Sequence, residues 1–131
     1  MKFKPGDTAS LSRTISVDDI RAFADATGDR NPLHLDEEFA KQTRFGGRIA
    51  HGMLSASLIS AVIANELPGQ GSIYLGQTLQ FVAPVFLGDT VTARVTISAI
   101  REDKPILKLE TVCANQRNEV VIRGEATVLI S

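Results

Sequence analysis

The chain reads as an α+β domain in which a long antiparallel sheet is laid around one buried helix. Three observations point there. Residues 52–65 carry apolar side chains on every face, and their polar members are small. From Ser72 onward apolar and polar residues run in strand-like segments, with Val91, Ala93, Val95 and Ile97 alternating against Thr92, Arg94 and Thr96. That is the period-two pattern of a strand with one buried face. Polar turns separate these segments, and strands joined by short turns form an antiparallel meander.

The elements follow in order. Ser16 is a good N-cap, with Asp19 placed for a capping box. Ile20, Phe23, Ala24 and Thr27 then recur at helical spacing, and Gly28 supplies the stop. Asp29 to Leu35 has no strong period, and Pro32 drives Asn31 out of the helical region. Asp36 caps a second short helix through Glu37, Glu38, Phe39 and Ala40. Thr43 to Ala50 is loop-like, with a Gly46-Gly47 pair. The apolar helix at 52–65 is about 21 Å long at 1.5 Å per residue, and it is expected to be buried all round. Pro68, Gly69 and Gly71 close it. Strands are then expected over 72–81, along the 91–97 alternation, and over 106–114 and 120–130. Turns lie at Arg101–Pro105 and Gln116–Asn118.

Composition narrows the function. At 131 residues the chain is one domain, residues 1–131, long enough for a single core without staples. Hydrophobic residues make up 44% and charged residues 22%, which excludes intrinsic disorder. Fourteen Lys+Arg against fifteen Asp+Glu give no overall field to draw nucleic acid or an anionic membrane. The single Cys113, in an apolar run, excludes an internal disulfide framework and a multi-cysteine zinc site, and reads as a small buried hydrophobe. No apolar run follows Met1, and Met53–Ala64 falls short of the ~20 residues that span a bilayer, so a cytoplasmic protein is expected.

Two places offer chemistry. Asp29 and His34 stand five residues apart across the stiff Asn31-Pro32 step, which can aim a carboxylate and an imidazole at one point as an acid–base pair requires. The same residues would also make a surface Asx-turn beside a half-buried structural histidine. Gly52 opens the buried helix, so its N–H lacks an intrahelical acceptor and has the positive end of the helix dipole behind it, the setting of an oxyanion donor. The plainer alternative is a glycine that only permits a tight turn into the helix. Ser55, Ser57 and Ser60 would bond back to carbonyls one turn earlier. No phosphate loop, nucleophile elbow or His-Glu-x-x-His is present. Arg101 and Lys104 share a turn that a phosphate could meet, although charged hairpin turns are ordinarily just solvated.

Residues 29–36, Asp-Arg-Asn-Pro-Leu-His-Leu-Asp, resemble the Asp-x-Asn-Pro-x-His signature of MaoC-like (R)-specific enoyl-CoA hydratases. Phe45–Leu54 and Gln80–Asp89 resemble that family's second and third blocks, in the same order and spacing, and the likeness extends over essentially the whole chain. Residues 101–105 and 124–126 are similar to the short bacterial members that supply polyhydroxyalkanoate monomers. The resemblance implies a hotdog fold, a homodimer joined sheet edge to sheet edge, an acyl-CoA substrate, and neither metal nor redox cofactor. It assigns Asp29 and His34 as the catalytic pair and Gly52 as donor to the thioester oxygen. Asn31 and Ser60 support the cluster. Helical spacing from Gly52 places Ile59 and Ile63 on one stripe, expected to line a pocket for acyl chains of roughly four to six carbons.

Other hotdog chemistries remain to be weighed. A thioesterase wants an acid on the buried helix, and this helix has none before Glu66. A non-catalytic acyl-CoA-binding protein would be favoured by loss of Asp29 or His34, and both are present. A dehydratase acting on carrier-protein thioesters would use the same residues in reverse.

Overall fold

A computed structural model describes residues 2–130. In chain order the elements are β1 (Thr8–Thr14), α1 (Val17–Thr27), α2 (Pro32–Leu35), α3 (Glu37–Lys41), α4 (Gly52–Asn65), β2 (Ile73–Gln77), β3 (Gln80–Phe81), β4 (Thr90–Ile100), β5 (Ile106–Ala114) and β6 (Val120–Leu129). The sheet order is β1-β4-β5-β6-β2, with β3 also on β6, and every pairing is antiparallel. α4 packs on β4, β5 and β1. Ile59, Val62 and Ile63 of α4 share one core with Val91, Val95, Ile97, Leu107, Leu109, Ile122 and Val128 of the sheet. This is the hotdog arrangement, a sheet curved around a central helix.

The α1 capping box forms as the sequence predicts. Asp19 N–H donates to Ser16 Oγ at 3.1 Å, and Ser16 N–H donates to Asp19 Oδ2 at 3.2 Å. Gly28 ends the helix with φ of 81°, a left-handed conformation that glycine adopts without strain. Arg13 at the end of β1 pairs with Asp19 at 2.7 Å, and this hydrogen bond holds the Asp19 carboxyl below the usual carboxylate range. Asp36 caps α3 through Phe39 N–H at 3.2 Å.

Four features depart from the sequence pattern. β1 is an additional strand, which the opening residues barely announce because their alternation is mostly of hydroxyls. Its support comes from across the sheet: Ser12 pairs with Thr92 at 2.6 Å, Thr14 with Thr90 at 2.7 Å and Thr8 with Thr96 at 3.0 Å. The expected strand over 72–81 is instead two strands, β2 and β3. Between them Thr78 crosses β6 so closely that a Cβ on Gly124 would lie 1.8 Å from the Thr78 carbonyl oxygen. Thr78 N–H donates to Glu125 O at 2.9 Å, and Glu125 N–H to Thr78 Oγ1 at 3.0 Å. The unpatterned stretch after Asp29 contains the single turn α2, capped by Asn31 Oδ1 accepting Leu33 N–H at 3.1 Å. Finally, α4 is not covered all round. Met53, Ser57, Ser60 and Ala64 recur at i, i+4, i+7 and i+11 as one exposed stripe.

Cys113 is fully buried on β5, as expected of a small hydrophobe. Burial pushes its thiol pKa up to about 12, and its S–H leans on the Ser55 carbonyl at 3.8 Å. A thiol so held is no nucleophile. Among the described residues no helix is long and apolar enough to cross a membrane.

Candidate active site

Asp29 follows the left-handed Gly28 at the end of α1. Its N–H donates to Thr27 Oγ1 at 3.1 Å, and its Oδ1 meets Asn31 N–H at 3.5 Å. His34 lies in α2, and Arg48 Nε clamps the His34 carbonyl at 2.7 Å. The Asx-turn geometry and the half-buried histidine, weighed above as the plain alternative, are both present. They are the means by which the carboxylate and the imidazole come to one cavity.

The tautomer of His34 follows from its partner. Nδ1 lies 2.7 Å from the Ile49 carbonyl oxygen. A carbonyl only accepts, so Nδ1 carries the hydrogen and Nε2 of the neutral ring is a bare acceptor. Burial lowers the His34 pKa, His51 lowers it further, and the Ile49 carbonyl and Asp29 oppose the shift; the net effect is downward. The ring therefore keeps its lone pair to lower pH than an exposed histidine would.

Gly52 opens α4 beside this pair. Neither Gly52 N–H nor Met53 N–H finds an acceptor among the described residues, as the start of a helix requires. The Phe81 ring lies against Gly52, where a Cβ would sit 2.7 Å from its Cε1. Only glycine permits that approach.

Asp29, His34 and Gly52 line one cavity of about 480 Å³, together with Phe45, Ile49, Ala50, Phe81, Val82, Pro84, Val85 and Ile122. Arg44 stands at the cavity with its guanidinium 4.9 Å from the Phe45 ring centre. The ligand atoms of Asp29, His34 and His51 all fall within 4.8 Å of one another, a grouping that could also take a cation.

The remaining expected site residues are placed differently. Asn31 stays outside the cavity and acts by capping α2. Ser60 is exposed on the open stripe of α4, away from the cavity. Ile59 and Ile63 do not line it either, which corrects the expected acyl stripe. They are 0% and 2% exposed and packed in the core, because they lie on the face of α4 that packs against the sheet. The helical spacing from Gly52 was sound, but spacing along one helix does not say where the sheet begins to cover it. The cavity is instead lined by Phe81 to Val85, of which Phe81, Val82 and Pro84 are exposed and Val85 is buried. The supporting residues Arg48 and Ile49 carry no signal of their own in the sequence beyond lying in the second block.

A sheet-wrapped helix whose free N-terminus faces a carboxylate and a neutral imidazole defines the hydratase–dehydratase class of hotdog proteins. Residues 3–119 match the MaoC like domain, and the chain belongs to that family. It is 50% identical over 127 residues to the (R)-specific enoyl-CoA hydratase of Rhodospirillum rubrum, covering 97% of this chain and 88% of that one. It is likewise 50% identical over 123 residues to the (R)-specific enoyl-CoA hydratase of Aeromonas caviae, covering 94% and 92%. The solved (R)-hydratase from A. caviae involved in PHA biosynthesis superposes with a TM-score of 0.98 at 48% identity, over 99% of this chain and 98% of that one.

Proposed function

We propose that the chain is an (R)-specific enoyl-CoA hydratase, a hydro-lyase that adds water to trans-2-enoyl-CoA and yields the (R)-3-hydroxyacyl-CoA. The observation that carries this is a pair of bare acceptors, the Asp29 carboxylate and His34 Nε2, beside the unclaimed N–H of Gly52. One water donates one hydrogen to each acceptor, which leaves its lone pair free for C3. The Asp29 carboxylate takes a proton as the C3–O bond forms. Charge moves through the conjugated system to the thioester oxygen, where the Gly52 N–H and the helix dipole oppose it. The proton then passes from Asp29 to C2. Because one carboxylate takes and returns it on one face, the addition is syn. The (R) sense rests on the relatives at 50% identity that carry it in their names. No electrons change hands, so the step calls for no redox cofactor.

Phe81, Val82, Val85 and Ile122 offer apolar surface for the acyl chain. The product is the monomer type used in polyhydroxyalkanoate synthesis, and the enzyme works in the cytoplasm on acyl-CoA. It acts as a homodimer. Of the two sheet edges, β1 presents Ser10, Ser12 and Arg13, whereas β2 exposes Ile73, Tyr74 and Leu75. An apolar edge strand is suited to pairing with a second copy.

The test follows crotonyl-CoA by the absorbance of its conjugated thioester and assigns the product by chiral analysis. Asp29→Asn and His34→Ala should each lower turnover by about 10²–10⁴-fold, the range for a lost acid or base, with circular dichroism unchanged. Near-normal activity in either variant, or an (S) product, would overturn the reading.

A further inference from the structure

We infer that His51 is the positioning residue of this site, holding the main chain of Asp29 and the ring of His34 in one frame with the N-terminus of α4. The inference rests on the catalytic reading of Asp29 and His34 given above. His51 is 2% exposed and occupies the N-cap position of α4, yet its side chain makes no capping bond. Its Nε2 lies 3.0 Å from the Asp29 carbonyl oxygen. That acceptor fixes the hydrogen on Nε2. The face of the same ring stacks on His34, with centroids 4.1 Å apart and planes 35° apart, and Phe23 packs on it at 4.8 Å.

Packing alone does not call for a histidine here. His51 Nδ1 is buried with no partner among the described residues, as is Ser55 Oγ one turn along. A phenylalanine would fill the space with no buried ring nitrogen left unpaired, at the loss only of the bond to the Asp29 carbonyl. The imidazole is distinguished by its Nε2–H, and that hydrogen goes to Asp29. Asp29 sits between a helix end and a prolyl turn, so no secondary structure holds its carbonyl; His51 supplies the hold. Gly52 is the next residue in the chain, so a displacement of His51 moves the carboxylate, the imidazole and the N–H donor relative to one another. A misplacement of about 1 Å at a reacting group costs about 10²-fold in rate.

The experiment compares His51→Phe, which keeps a ring, with His51→Gln, whose amide can replace the Nε2–H, using crotonyl-CoA. His51→Phe should lower kcat by about 10²-fold with little change in KM, and His51→Gln should recover most of that loss. In an Asp29→Asn background, adding His51→Phe should cost clearly less than it does in the native chain, because one of the groups it positions is already gone. Unchanged kcat in His51→Phe, a loss confined to KM, a glutamine no better than phenylalanine, or a fully multiplicative loss in the double variant would each overturn the inference. Should His51→Phe fail to fold, His51→Asn replaces it: its shorter amide cannot reach the Asp29 carbonyl. Asparagine equal to glutamine then overturns the inference. Full activity in Asp29→Asn alone would overturn the catalytic pair itself, which keeps the two failures apart.

Discussion

With Nδ1 donating to the Ile49 carbonyl, His34 presents a bare Nε2, and the direction of its pKa shift sets where that atom is available. Burial holds the value below the ordinary 6.5, so the acid limb of kcat/KM should lie below that pH, with activity lost as pH falls through the lowered value. The same shift acts on stability. The unfolded chain binds the proton more readily between the lowered value and 6.5, so stability is full above that window and declines as pH falls through it. A pH–rate profile with an acid limb above 6.5 would contradict the burial argument. At this scale the sequence singled out Asp29, His34 and Gly52, which the fold brings to one cavity, and said less about what holds them there. The Ile49 carbonyl, which fixes the His34 tautomer, could be any residue's carbonyl and leaves no mark in the sequence.

α4 shows what periodicity can and cannot give. Its limits, Gly52 to Asn65, were legible from composition and from the residues that flank it. Its exposed stripe was not, because Met53, Ser57, Ser60 and Ala64 carry no charge, and two small hydroxyls are too little to mark a solvated face. Ile63 lies on the covered side. Ile63→Ala should therefore cost about 2–5 kcal/mol of stability while leaving the ratio of rates on eight-carbon and four-carbon substrates unchanged. A ratio shifted toward the longer chain would restore Ile63 to the pocket. The break between β2 and β3 escaped notice for a related reason. It is imposed by Thr78 crossing Gly124, forty-six residues apart in sequence, and no local window contains both. β1 was missed because its hydroxyl-rich alternation acquires meaning only against the threonines of β4.

For the molecule as a whole, the apolar strip on β2 and the open stripe of α4 both ask for cover. Sedimentation should find a dimer, and replacing Ile73 and Leu75 by lysine should shift it toward monomer, since charges on an edge strand oppose pairing. A stable, fully active monomer would refute the arrangement. The fold class was readable because a single long apolar helix followed by a β meander leaves few ways to bury both. The edge proposed for pairing was not readable from the same pattern, since Ile73 and Leu75 look like core residues until the sheet order places β2 at an edge.

The proposed reacting groups lie between residues 29 and 52, on turns, on the short α2 and at the first residue of α4, stitched together by the bonds from His34 to Ile49, from Arg48 to His34 and from His51 to Asp29. None of these stitches belongs to the ladder of the sheet. Local opening of this segment should then precede global unfolding of the sheet. Amides of residues 29–50 should exchange with deuterium ahead of those in β4, β5 and β6. In rising urea, turnover should fade while the far-ultraviolet signal of the sheet is still intact. Coincident loss of both would mean that the clasp and the sheet unfold as one. Thermal resistance of activity would then depend on tightening the clasp first, and improvements confined to the core would lengthen the life of the fold more than that of the catalyst.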